Sequence, residues 1–171
     1  MRIIASISFF LLSIGLLAQP SIPEEFDLTH GEDYAQYEPL VIESLEWLLK
    51  NPIDQDLEKR TELNAFVMIW LSGSPNIEMQ INSTWLKFTE ENEELFFTFL
   101  QGMALHQLEH PKEKDLVRLH AQGLNAVARQ VIECQGCVKS NKALKKLIKA
   151  YKKGKMMSYV EEIKREQHEE V

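Results

Sequence analysis

Glycine and proline are scarce in this chain, with 7 and 6 among 171 residues. That scarcity argues against a turn-rich β-sandwich or barrel, and against a Pro/Gly-rich disordered segment. Cysteine occurs only at positions 134 and 137. No glycine-rich phosphate loop, serine–histidine–acid order or paired catalytic carboxylate stands out, so the familiar hydrolase and nucleotide-binding signatures are missing. Positive charge is also short, since 19 basic against 26 acidic side chains leave a net charge of −7. Nucleic acid is therefore not an expected partner.

One long apolar run is present, from Ile3 to Leu17, preceded by Arg2 and followed by Ala18, Gln19 and Pro20. A charged start, a short greasy core and a small residue at the cut describe a secretory signal peptide, here residues 1–18 with cleavage between Ala18 and Gln19. The competing reading is a membrane anchor. A spanning helix needs about 20 apolar residues, and this run ends before that length. No cysteine follows it, which argues against a lipoprotein anchor. The expected location is the periplasm or the cell exterior.

The remainder, about 150 residues, has room for one domain. Apolar residues recur at helical spacing throughout, so the expected class is all-α, with five to seven helices in an antiparallel bundle or a short stack of helical hairpins. The expected organisation is an extended segment over 19–33, a helical domain over 34–165 and a frayed tail over 166–171. A first helix carries Leu40, Val41, Leu45 and Leu48 and stops near Lys50, ahead of Asn51-Pro52. A second carries Leu63, Phe66, Val67, Trp70 and Leu71, with Gly73 as a left-handed cap before Pro75. Ile77, Ile81, Trp85 and Phe88 suggest a short third helix, although Ile77, Met79 and Ile81 also alternate as a strand would. A fourth, on Leu95, Phe99 and Met103, ends near His110 before Pro111, and a fifth runs from about Lys114 to Cys134 with Gly136 as its cap. Ser140 is the expected cap of a sixth, and a last turn or two follows Gly154.

Phe26 to Thr29, Glu38-Pro39-Leu40-Val41, Leu48 to Pro52, Asn64 to Pro75 and Asn141 to Ile148 resemble an uncharacterised group of secreted helical proteins from Bacteroidota. The resemblance covers most of the chain after residue 18, and its motifs are packing and capping patterns. It implies export and a helical fold, and assigns no activity and no functional residue.

Cys134-Gln135-Gly136-Cys137 is expected to close as a disulfide in an oxidising compartment. Redox enzymes with this spacing place the reactive thiol at a helix N-terminus, whereas Cys134 falls at a helix end. A structural staple is therefore preferred to a redox or a metal site, and Val138 stands where haem attachment would need histidine. His106-Gln107-Leu108-Glu109-His110 matches the spelling of an inverted zinc-peptidase motif. Pro111 tends to pull His110 out of the helix, so ordinary charges at a helix C-terminus are the preferred reading. Should a metal bind there, His120 and Glu113 are the nearest residues to complete the set.

Trp47, Trp70 and Trp85 fall on or beside apolar stripes and are expected in the core, with ligand stacking the lesser reading. Asn82-Ser83-Thr84 has the spelling of a glycosylation acceptor. Charge is polarised along the chain. From Glu24 to Glu58 every charged residue but Lys50 is acidic, whereas Lys139 to Lys155 holds eight lysines and no acid. The two ends either lie against each other or are separate solvated faces, or else the lysine segment meets an anionic partner. Lys142, Lys145, Lys146, Lys149, Lys152 and Lys153 surround an apolar stripe on one amphipathic helix. That stripe is expected to face the core, with peripheral membrane contact as the lesser alternative. The functional expectation is an exported, non-catalytic helical module that binds a protein, peptide or other ligand and needs no cofactor. The alternative is a thiol, disulfide or metal protein using Cys134 and Cys137, with His106 and His110 a lesser candidate pair. An enzyme with a dispersed active site is a third reading.

Overall fold

The computed structural model describes residues 19–81 and 83–169. Residues 1–18, read above as a signal peptide, and Asn82 of the glycosylation triplet lie outside these. No helix among the described residues is long and apolar enough to cross a membrane.

The fold is all-α. Six α-helices and one 3-10 helix occur among the described residues: α1 Gly31–Lys50, α2 Leu57–Gly73, the 3-10 helix Ser83–Thr89, α3 Glu94–Glu109, α4 Leu116–Glu133, α5 Lys142–Lys152 and α6 Met156–Glu169. Before α1 the chain is irregular and lies on the α1–α2 pair, with Phe26 edge-on to Phe66 at 5.1 Å between ring centroids.

Helix α1 starts at Gly31, inside the segment expected to be extended. The Asp33 carboxylate accepts the His30 backbone N–H at 2.7 Å, which satisfies one of the donors a helix start leaves open. Gly73 is not a left-handed cap. It ends α2 in helical geometry, and Ser74 turns extended ahead of Pro75. A Cβ at Gly73 would run into the Tyr34 hydroxyl, so close approach explains the glycine. Residues 77–81 form no helix, because their polar groups are taken by neighbours. Gln107 Oε1 accepts the Glu78 N–H at 3.1 Å, and the His120 ring nitrogen Nε2 lies 2.8 Å from the Gln80 carbonyl. Helix α5 is capped by Asn141 in place of Ser140. Asn141 Oδ1 accepts from Leu144 N–H at 2.8 Å, while its Nδ2, with two hydrogens where a serine hydroxyl has one, donates to the carbonyls of both Lys87 and Phe88. The last helix is longer than a turn or two, running 14 residues.

Two hydrophobic clusters fill the molecule. One joins α1 and α2 through Leu45, Leu48, Leu63, Phe66 and Trp70, and takes Ala104 from α3. The other joins the 3-10 helix and α3 to α6 through Phe99, Met103, Leu124, Val127, Leu144, Leu147 and Val160. Helix α3 therefore serves both. Its contact with α4 is very close, since a Cβ on Gly102 would lie 2.7 Å from the Ala126 Cβ, and one on Gly123 would lie 2.5 Å from the Phe99 ring.

The end of α1 is tied to the rest of the fold by side chains. Buried Arg60 of α2 donates to the carbonyls of Leu48, Asn51 and Pro52 at 3.1, 2.6 and 3.0 Å. Buried Gln130 of α4 donates to those of Leu48, Leu49 and Asn51 at 3.3, 2.8 and 2.9 Å. A cation at a helix C-terminus is favoured by the helix dipole, and the orphan carbonyls gain donors. Burial lowers the Arg60 pKa, against the pull of Asp54 and Asp56.

Candidate functional site

Opposite its buried stripe, α4 presents Arg118, Gln122, Asn125 and Arg129, spaced i, i+4, i+7 and i+11, which places them along one helix face. With Leu105, His106 and Glu109 of α3 they line a cleft of about 620 Å³. Leu49 contributes from α1, and Tyr151, Gly154, Met156 and Met157 from the end of α5, the turn and the start of α6 complete the lining. The glycine contact draws α3 and α4 together beneath it. This volume falls in the range of small-molecule sites, roughly 300–1,000 Å³.

The electrostatics of the cleft are uneven. Arg118 Nε lies 2.9 Å from Glu113 Oε2, so its charge is largely spoken for. Arg129 is exposed and has no ion-pair partner among the described residues. Gln122 and Asn125 between the two arginines are half-buried and supply amide donors and acceptors.

His106, which lines the cleft, and His110 do come together. His110 leaves the helix with φ −131° and ψ 65°, as Pro111 led us to expect, yet its N–H still bonds the His106 carbonyl at 2.9 Å. The rings stand 4.5 Å apart between centroids. Neither residue expected to complete a metal set joins them. Glu113 is paired with Arg118, and His120 is buried, stacked on Trp85 at 4.1 Å and held between the carbonyls of Leu116 and Gln80. Glu109 takes that place: one ligating atom from each of His106, Glu109 and His110 lies within 4.8 Å of the others.

Cys134 and Cys137 are bonded, with sulfurs 2.15 Å apart, and Cys134 caps the C-terminal end of α4. Gln135 and Gly136 take positive φ, 48° and 106°, to bring the chain round. Trp47, Trp70 and Trp85 are all buried, as expected of core residues. On α5 the stripe of Leu144 and Leu147 is buried against the second cluster, and Lys142, Lys145, Lys146, Lys149, Lys152 and Lys153 are all exposed. Helix α1 packs on α2 and α3, α5 packs on α4, α6 and the 3-10 helix, and no ion pair found among the described residues joins the two ends.

The face of α4 that lines the cleft was not singled out from sequence. Its polar periodicity is the same signal that any solvent-facing helix side gives. Comparison with family models, with curated proteins and with solved structures gives no match.

Proposed function

We propose that the chain is an exported, non-catalytic binding module whose ligand sits in the cleft between α3 and α4. The observation that carries this reading is the cleft itself, about 620 Å³ with Arg129 unpaired and two amides on its wall. On the α4 wall, the unpaired Arg129 guanidinium beside neutral amides favours a ligand bearing an acidic group there, while Glu109 lines the α3 side and Leu105, Met156 and Met157 add apolar contact. A short acidic peptide has both features. Export rests on the signal-peptide reading of residues 1–18.

The alternative, thiol–disulfide exchange at Cys134 and Cys137, has less support. A thiolate at the C-terminal end of α4 would face the negative pole of the helix dipole, which raises its pKa and slows attack.

Amide NMR titration with pooled acidic and pooled basic hexapeptides tests the preferred reading. The acidic pool should move the signals of Gln122 and Asn125, and Arg129→Glu should abolish the response. Unmoved cleft signals with both pools, or shifts confined to the lysines of α5, would refute it.

A further inference from the structure

Among the described residues, one set of three histidine, cysteine or acidic side chains converges as metal ligands do: His106, Glu109 and His110. Two imidazoles and a carboxylate form a donor set of intermediate softness. Such sets suit zinc, whereas calcium and magnesium take six or more oxygens.

The state of His106 adds a second, independent observation. Its Nε2 is buried and has no hydrogen-bond partner, so the polar capacity of this ring is incompletely used. Burial, and then the nearby His110, hold the His106 pKa below the ordinary histidine value. Arg118 acts in the same direction, while Glu113 and Glu109 oppose it.

We propose that His106, Glu109 and His110 bind one zinc ion beside the cleft that His106 and Glu109 line. Zinc sits about 2.0–2.2 Å from nitrogen and oxygen ligands, which puts tetrahedral neighbours roughly 3.4 Å apart. The present spread of up to 4.8 Å has to close by side-chain rotation of Glu109 and His110, both of which are exposed. Because His110 has already left α3, its ring is not bound to the helical spacing. Three protein ligands leave a fourth position for water or for a group on a bound ligand. The inference goes beyond the ligand reading and does not depend on it, since the ion is bound by the protein alone.

Calorimetric titration of zinc chloride into the chelator-treated chain, in a non-coordinating buffer at pH 7, tests it, with histidine ring NMR as a second readout. Saturation at one zinc per chain is expected. The ring signals of His106 and His110 should shift and those of buried His120 should stay. His110→Ala, at an exposed position where circular dichroism should show an intact fold, should weaken binding by more than about tenfold, and His106→Gln should do the same. No heat of binding, undiminished affinity in His110→Ala, or shifts at other histidines in place of these two would overturn the proposal. Zinc alone is the probe, so this outcome is separate from that of the peptide titration.

Discussion

Gly123 sits inside α4, where alanine is normally preferred by about 1 kcal/mol, so Gly123→Ala ought to stabilise the protein if propensity alone decided. The packing predicts the reverse. A Cβ there would lie 2.5 and 2.7 Å from two Phe99 ring carbons and 2.7 Å from the Phe99 carbonyl oxygen. Contact between such atoms is comfortable only from about 3.5 Å, so something must retreat by roughly an ångström. The ring also packs against Phe88 edge-on and stacks near His120, at centroid distances of 5.8 and 6.0 Å. The carbonyl belongs to the backbone of α3 and moves only with it. Forcing the two helices apart falls at the upper end of the overpacking range, about 3 kcal/mol, and the propensity gain offsets about 1 of that. The net expectation is a loss of about 2 kcal/mol, or a fall in Tm of about 4–8 °C for a domain of this size. Urea unfolding followed by tryptophan fluorescence measures it. Gly31→Ala is the control, because its Cβ meets nothing within 4 Å and its effect should stay within about 0.5 kcal/mol. Adding Gly102→Ala to the Gly123 variant should do less harm than it does alone, since the helices have already parted. A Gly123→Ala protein as stable as the parent, or more so, would refute the close-contact argument.

Arg60→Met should destabilise by about 2–4 kcal/mol, and Gln130→Ala by about 1–3, because each strips donors from buried carbonyls at the end of α1. Both serve Leu48 and Asn51, so the double variant should lose more than the sum of the singles, as a urea-based double-mutant cycle would show. Tyr159 is pushed up to about 12 by burial, with Glu162 and Glu166 acting in the same direction. Below pH 10 it is neutral whether folded or unfolded. Above that the unfolded chain ionises first, so this residue makes stability fall between about pH 10 and 12. Absorbance titration should show a late phenolate step that Tyr159→Phe removes, and its persistence in that variant would reassign the shift.

Much of the helical layout was legible because it depends on local chemistry. Asn51 before Pro52 stops α1, Pro111 stops α3, and the apolar spacing through Leu63, Phe66 and Trp70 marks α2, all without tertiary help. What escaped were features decided by partners distant in sequence. Residues 77–81 have a helix-compatible pattern, but Gln107 and His120 claim their polar groups. Gly73 has the look of a terminator, yet it makes room for Tyr34 across a hairpin. Asn141 outcompetes Ser140 as a cap because the 3-10 helix offers it carbonyls. The candidate site divides in the same way. The spelling from His106 to His110 drew attention to two ligands, whereas the choice of Glu109 over Glu113 depended on where Arg118 lies. The wall of the cleft was hidden for a different reason, since a polar helix face reads alike whether it borders bulk water or a concavity.

Sharing of α3 between two cores bears on how this chain tolerates being cut. A fragment ending in the connection before α3 would leave the α1–α2 pair without the surface around Ala104 and without the amide of Gln130, while a fragment starting there would strip one flank of α3 bare. Neither half is a self-sufficient unit. Expression of truncated versions should yield insoluble material from both, and mixing the two pieces during refolding should rescue what neither achieves by itself.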